Sequence, residues 1–386
     1  MADQRTLRRR LVKELRRRDY LHSERVAEAF AAVPRHLFVP GQRLKDVYTD
    51  RAFITKRVDG VPVSSSSQPS IMAIMLEQLE LAPGQRVLEI GAGTGYNAAL
   101  LSQLVGERGR VTTVDIDAEV ADGARAHLRS ARYTGVTVLA ADGGLGWPEG
   151  AAHDRIIATA SCWQIPQPWV DQLAEGGILV LPFRLNGAHI SFAFRKEGDR
   201  LVSGRAAMCG FMPLRGVFGP VHTQVTLPGM RVAADVELGP GQRASLAKTL
   251  SCGRAVKVAY PRARDALNTP LYFLALQGKP VLNMFRETDG WGSTPFGLMA
   301  AARSVIALPW VRPLRGRLTV YGGDEAIAFL RQALARWHAE GRPDLRQLRA
   351  RVRPARASAR GGLPRRVDGR YRFRRGDHLY ELWFER

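Results

Sequence analysis

The chain has 386 residues, 45% of them hydrophobic and 24% charged, with a formal net charge of +21. That length suits two domains of ordinary size, and the positive excess attracts acidic partners: nucleic acid, anionic lipid or an acidic peptide. No run of about eighteen apolar residues offers a membrane span, the N-terminus has no apolar signal core, and Cys162, Cys209 and Cys252 have the spacing of neither a disulfide framework nor a zinc site, so a cytoplasmic chain without metal is expected.

Residues 1–75 read as a helical entry module. Leu7, Leu11 and Leu15 recur at helical spacing among arginines, which makes the arginines a solvated helix face. Thr6 is placed to cap this first helix, and Ser23 a second one from Glu24 to Ala32 that Pro34 ends. Residues 76–216 then alternate strands with helices, the pattern of a parallel sheet. The apolar run Arg86–Ile90 leads into Gly91-Ala92-Gly93-Thr94-Gly95 and a helix from Tyr96. Glycine belongs where a backbone turns sharply and lets a ligand approach closely. Val111–Asp115, Val136–Ala140 and Arg155–Ala160 are the next strands. Gln172–Glu175 reads as a helix end, Gly176-Gly177 as its stop, and Ile178–Pro182 as a fifth strand. Ile190–Arg195 and Ala206–Met212 form a hairpin-like pair with Gly198 in its turn.

Residues 217–386 make a basic second domain of α+β character. Strand-like runs occur at Ala255–Ala259 and Leu271–Leu276, and an amphipathic helix opens at Gly323-Asp324-Glu325 and runs to about Ala339. Arg353–Arg370, rich in Arg, Ala, Gly and Pro, reads as a mobile loop, and Arg370–Phe384 as a hairpin turning at Gly376-Asp377. Arginine recurs so often here that the face suits an acidic peptide through guanidinium–carboxylate forks.

The glycine spacing G-x-G-x-G, with Glu89 two residues ahead, resembles the first motif of class I S-adenosylmethionine (SAM) methyltransferases, α/β folds with a Rossmann-like sandwich. Asp115, twenty residues after Gly95, is placed to accept from both ribose hydroxyls, and Asp142 to take the adenine amino group. Further blocks narrow the resemblance. Val33-Pro34-Arg35-His36-Leu37-Phe38-Val39-Pro40, Tyr48-Thr49-Asp50, Ser66-Ser67-Gln68-Pro69 and Phe211-Met212-Pro213-Leu214 resemble protein-L-isoaspartate O-methyltransferases over residues 5–216. The resemblance implies methyl transfer from SAM to a peptide side-chain carboxylate, yielding S-adenosyl-L-homocysteine. It implies that Glu89, Gly91, Gly93, Gly95, Asp115, Asp142 and Gly143 bind SAM, and that Ser67, with Ser66, lies beside the transferring methyl group. Tyr48, Asp50, Ser64 and Ser65 are expected to line the acceptor side. The competing reading of Ser67 is an N-cap of the helix starting at Pro69.

The chain departs from that family in three places. Ser64-Ser65-Ser66-Ser67 stands where Thr-Ile-Ser is usual, Ser70 where an aromatic or His is common, and Ala141 where Gly is usual. About 170 residues follow the point where most repair enzymes of the family end. Layout and serine block resemble the branch associated with ribosomally made modified peptides such as lanthipeptides. That resemblance implies an ordinary aspartate in a cyclised precursor as acceptor, its methyl ester collapsing to aspartimide and isoaspartate. Repair of isoaspartyl residues is the alternative. A nucleic-acid-binding protein or RNA methyltransferase is a third, opposed by Ala158-Thr159-Ala160-Ser161 where amino-group methyltransferases often carry an Asn/Asp-Pro-Pro-aromatic block. Asn268-Thr269-Pro270-Leu271 is only faintly similar to that block.

Overall fold

The computed structural model describes residues 3–220, 223–257, 270–286, 296–308, 317–359 and 362–385. Val258, Ala259, Asn268 and Thr269 of the sequence reading lie outside them. The chain divides into two compact units. One comprises Met1–Pro182 and Ser191–Gly219, the other Phe183–Ile190 and Pro220–Arg386.

The first unit opens with α1 (Gln4–Arg17), α2 (Glu24–Ala32) and a short α3 (Leu44–Val47). Leu11 and Leu15 of α1 are buried while Arg9, Arg10, Arg16 and Arg17 stay exposed, as the helical spacing predicts. Asp3 rather than Thr6 occupies the N-cap of α1, because the helix begins two residues before Thr6. Ser23 does cap α2, accepting from the Val26 amide at 3.4 Å. Next comes a hairpin absent from the sequence reading, β1 (Phe53–Val58) and β2 (Val61–Ser66). It turns at Asp59 and Gly60, both at positive φ, the backbone a tight hairpin turn requires. Helix α4 (Pro69–Gln78) follows with its proline in the first turn and Gln68, not Ser67, at the N-cap.

The parallel sheet then builds up through β3 (Arg86–Ile90), α5 (Tyr96–Val105), β4 (Arg110–Asp115), α6 (Ala118–Ser130), β5 (Val136–Ala140), β6 (His153–Ala158), α7 (Gln167–Gln172), β7 (Leu173–Leu185), β8 (Ala188–Glu197) and β9 (Arg200–Met208). Neighbours run β5-β4-β3-β6-β7-β8-β9, and the pairs from β5 to β7 are parallel. Val87, Leu88 and Ile90 are all buried, as a strand covered on both faces requires. Chain order reverses at β3, with β4 on one side and β6 on the other, which makes the carboxyl end of β3 the ligand crevice of such a sheet. Gly176 and Gly177 do not stop a helix. They sit inside β7 at a register irregularity, where a Cβ on Gly177 would lie 2.7 Å from the Ala174 carbonyl oxygen.

The second unit holds β10 (Thr223–Leu227), β11 (Met230–Ala234), α8 (Pro240–Leu250), β12 (Gly253–Lys257), α9 (Leu271–Ala275), β13 (Val281–Arg286), β14 (Phe296–Ala301), β15 (Ser304–Leu308), β16 (Arg317–Gly322) and α10 (Glu325–Ala339). Its seven-stranded antiparallel sheet runs β10-β11-β13-β14-β15-β16-β12. Helix α10 packs Ile327, Leu330 and Leu334 onto Leu298, Ile306 and Val320. Leu271–Ala275 is helical, not a strand. A short run buried on all sides carries no period to separate the two.

The arginine-rich end is ordered into β17 (Leu348–Ala359), β18 (Arg365–Val367) and β19 (Arg370–Phe384), so most of the expected loop is strand. β18 meets β19 through Asp368-Gly369, both at positive φ. β19 folds back on itself about Gly376 and Asp377, as predicted. Arg372 bonds Glu381 at 2.7 Å, and the Phe373 and Tyr380 rings stack at 5.0 Å. The tip of the β7–β8 hairpin belongs to this unit. Arg184 pairs with buried Asp235, which also accepts from the Gly187 amide at 2.8 Å, while Asn186 donates to the carbonyls of Ala275 and Lys279.

Candidate active site

The crevice at the end of β3 is built from backbone. Gly91, Gly93 and Gly95 take φ of +99°, +52° and +84°, a region L side chains avoid. Space forbids side chains as well. A Cβ on Gly91 would stand 2.5 Å from Thr159 Oγ1, and one on Gly93 3.1 Å from the Ser65 carbonyl oxygen. Beneath the loop Glu89 is fully buried, accepting from Asn97 Nδ2 at 2.8 Å and Thr113 Oγ1 at 2.6 Å. Burial pushes its carboxyl up to about 7. Complete burial sets Glu89 apart from the crevice carboxylates: its two bonds join β3, α5 and β4 beneath the glycine loop and brace it from inside the fold.

Asp115 ends β4 at the crevice. Its Oδ2 accepts from the Gly93 amide and its Oδ1 from the Asp117 amide, each at 3.1 Å, and burial raises its pKa. A carboxylate has about four lone-pair positions, so two amides leave capacity for the hydroxyls of a ribose. Asp142 accepts from the Gly144 amide at 2.9 Å and the Val217 amide at 2.8 Å, again with capacity to spare. Gly143 packs so closely that a Cβ would meet Ile90 Cγ2 at 2.6 Å, and its carbonyl takes Trp169 Nε1 at 2.8 Å. Ile116, which follows Asp115, and Leu145, three residues after Asp142, are 40% and 50% exposed and leave apolar surface near both carboxylates in sequence. A turn of side-chain-free backbone, two carboxylates with lone pairs to spare and exposed apolar side chains beside them are a donor set that fits SAM.

The acceptor side meets this cradle through β2. The Ser65 carbonyl touches the space above Gly93, and Lys56 of β1 bonds Asp117 at 2.8 Å and Glu119 at 2.7 Å, fastening the hairpin beside Asp115. The four serines differ in setting. Ser64 is buried and accepts from Thr55 Oγ1 at 3.1 Å, and the hydroxyl of Ser66 is buried without a partner. Ser65 and Ser67 are half-buried. Tyr48 is buried, its hydroxyl 2.8 Å from His36 Nδ1. The Asp50 carboxylate accepts from the Ser70 amide at 2.8 Å and Gln68 Nε2 at 2.9 Å, so it caps α4. Asp50 thus fixes the start of α4, and Tyr48 is engaged by His36.

Arg35 holds the acceptor loop. It is fully buried and donates to the carbonyls of Val47 (2.9 Å), Thr49 (3.3 Å), Arg51 (2.9 Å) and Ser67 (2.9 Å). Its guanidinium lies 5.4 Å from the ring of Phe53 and 5.7 Å from that of Tyr96, the residue after Gly95. One side chain therefore ties the Ser67 backbone to the cofactor loop. An arginine inside an apolar block is a sequence signal for burial; its carbonyl partners leave no signal. Lys56 and Arg215, whose guanidinium stands 3.9 Å from both Asp115 and Asp117, had none either.

Comparison with known proteins gives the family. The model of the family "Protein-L-isoaspartate(D-aspartate) O-methyltransferase (PCMT)" matches residues 6–217. A protein-L-isoaspartate O-methyltransferase of Methanopyrus kandleri is 39% identical over 219 residues, 56% of this chain and 94% of the relative. One from Hyperthermus butylicus is 37% identical over 227 residues, 56% of this chain and 91% of the relative. A solved protein-L-isoaspartate O-methyltransferase superposes with a TM-score of 0.53 at 26% identity, covering 89% of this chain and 96% of its own. That coverage reaches well beyond residue 217, so a long C-terminal extension does not by itself mark the peptide-tailoring branch. The chain belongs to the protein-L-isoaspartate O-methyltransferase family and is a SAM-dependent carboxyl O-methyltransferase of the class I fold.

Proposed function

We propose that the acceptor is the isoaspartyl carboxylate of a peptide or protein, and that Ser65 and Ser67 present it to the cofactor cradle. The observation that carries this is the contact of the serine strand with the glycine loop: the Ser65 carbonyl lies against Gly93, and Arg35 links the Ser67 carbonyl to Tyr96. Bound SAM supplies an electrophilic methyl group and leaves as S-adenosyl-L-homocysteine. The acceptor carboxyl, with a pKa near 4, is already ionised at neutral pH, so no general base is needed. What remains is positioning and exclusion of water. Half-buried serine hydroxyls orient a carboxylate by donating to one oxygen, without the tight ion pair that blunts its nucleophilicity. The hairpin β1–β2 is fastened beside the cradle by Lys56, which pairs with Asp117 and Glu119.

The serine block itself favours a second reading. Four consecutive serines replace the family's usual Thr-Ile-Ser, and an acceptor loop altered in this way suits an ordinary aspartate in a constrained precursor peptide, whose ester collapses to aspartimide. Mass spectrometry of the full-length enzyme with SAM separates the two. An isoaspartyl peptide should gain about 14 Da, the mass of a methylene, while its aspartyl twin stays unmodified. Methylation and methanol loss on a cyclised aspartyl peptide alone would overturn the first reading and establish the second. No helix among the described residues is long and apolar enough to cross a membrane.

A further inference from the structure

The outer face of the ribbon β18–β19–β17 is a lattice of guanidinium groups. Register places Arg365 opposite Arg372, Arg351 opposite Glu381 and Arg353 opposite Leu379. The fold-back of β19 brings Arg372 onto Glu381 at 2.7 Å and Arg370 over Trp383 at 4.8 Å. The strands therefore carry Arg365, then Arg370, Arg372 and Arg374, then Glu381, then Arg351 and Arg353 across one face. Glu381 is only 4% exposed and is held by Arg372 and, at 3.9 Å, Arg370. Arg353, Arg365 and Arg374 are exposed and have no carboxylate partner among the described residues.

We propose that this face binds an extended acidic segment of the protein being methylated. The proposal rests on the reading that the substrate is a polypeptide. Side chains on one face of a strand repeat at about 6.8 Å, the repeat of alternate side chains in an extended peptide, so carboxylates at every second position meet successive arginines. Arginine forks pair with carboxylates through two parallel hydrogen bonds. Nucleic acid fits less well. Single-strand binders stack bases on open aromatic rings, and here the ring of Trp383 has Arg351 over it at 5.7 Å and Arg370 at 4.8 Å. Stacking on Trp383 fixes both guanidiniums, Arg370 also standing 3.9 Å from Glu381, and leaves the exposed Arg353, Arg365 and Arg374 as the groups open to an anion.

The test uses the full chain and a fluorescein-labelled peptide of alternating glutamate and serine, which lacks any aspartyl acceptor. Fluorescence anisotropy should show saturable binding that weakens with salt. The triple variant Arg353→Glu/Arg365→Glu/Arg374→Glu should bind at least about tenfold more weakly, and the corresponding Ser variant by an intermediate factor. The Ser variant also stands in should the Glu variant unfold. Methyl transfer to a short isoaspartyl peptide without acidic residues should be unchanged in both variants; that readout follows the acceptor reading separately. Equal peptide binding by wild type and the Ser variant overturns the proposal. So does displacement of the peptide by oligothymidylate or anionic lipid vesicles at lower charge concentration than unlabelled peptide requires.

Discussion

Replacing Arg35 by methionine tests how the acceptor loop is held. The side chain is fully buried, and burial lowers its pKa to about 10. That shift corresponds to roughly 3 kcal/mol of desolvation cost. Four carbonyl bonds, from Val47, Thr49, Arg51 and Ser67, offset it. Charged hydrogen bonds contribute about 1.5–3 kcal/mol each, so the bonds outweigh the cost. Methionine fills similar volume, escapes the desolvation and strands the carbonyls of Val47, Arg51 and Ser67, while that of Thr49 keeps the Arg51 amide at 2.9 Å. A net loss of about 3–5 kcal/mol is expected, the range for breaking a buried charged network. Arg35→Lys keeps the charge but has a point-like ammonium in place of the planar fork, and should lose about half as much. Urea unfolding followed by tryptophan fluorescence gives the stability. Methyl transfer to an isoaspartyl peptide, measured where both proteins are folded, gives the positioning: kcat/KM should fall more than tenfold, with SAM affinity changing less. Stability within 0.5 kcal/mol of wild type and an unchanged kcat/KM would refute the assignment.

Three further outcomes follow from the same geometry. Asp115→Ala should weaken SAM binding by about 1.5–3 kcal/mol, read by calorimetry, because bonds to a charged acceptor are lost; unchanged affinity would mean the ribose lies elsewhere. Glu89 keeps its proton up to about pH 7 in the fold against a usual value of 4.5, so between these values the unfolded chain ionises first and stability falls as pH rises, by at most roughly 3 kcal/mol. Glu89→Gln should flatten unfolding free energy across that window, and parallel profiles for variant and wild type would contradict the brace. Asp235→Ala leaves Arg184 buried and unpaired and should destabilise the second unit by about 3–5 kcal/mol, visible as a shifted thermal transition; a change under 1 kcal/mol would count against the pair.

The parallel strands were legible because they are covered on both faces. Val87, Leu88, Ile90, Val111 and Val114 are all buried and cluster into short β-branched and apolar segments that end in the residues of the crevice. The turn at Gly376-Asp377 was legible for a different reason, since its two residues suit a tight reversal and the flanks alternate. Hairpin β1–β2 was not, because Ile54, Val58 and Val61 are exposed and no alternation survives. Losing the hairpin hid Lys56, whose partners lie 61 and 63 residues away. Within the site, the glycines and Asp115 announce themselves through spacing. Glu89, Tyr48 and Asp50 share the right blocks, yet their polar atoms are engaged by Thr113 and Asn97, by His36, and by Ser70 and Gln68. A motif marks which residues come together, and only the contacts show what each side chain holds.

The hairpin of β7 and β8 determines how the chain can be cut. Truncation after Gly219 follows the family match, which ends at residue 217. Such a chain keeps Phe183–Ile190 but discards the rest of the unit to which those residues belong. The Phe183 and Tyr380 rings lie tilted against each other at 5.2 Å, and Phe183, Leu185 and Ile190 are at most 2% exposed. Uncovering three such side chains forfeits about 1.5–3 kcal/mol each and strands Arg184 and Asn186 without Asp235 and the Ala275 carbonyl. The truncated protein should therefore aggregate or bind a hydrophobic dye. Replacing Phe183–Ile190 by a short polar turn should restore a monomer that still binds SAM. Size-exclusion chromatography with calorimetry reads both. A soluble, monomeric, untreated 1–219 chain would show that the tip needs no cover, and a polar-turn version that stays aggregated would place the fault elsewhere.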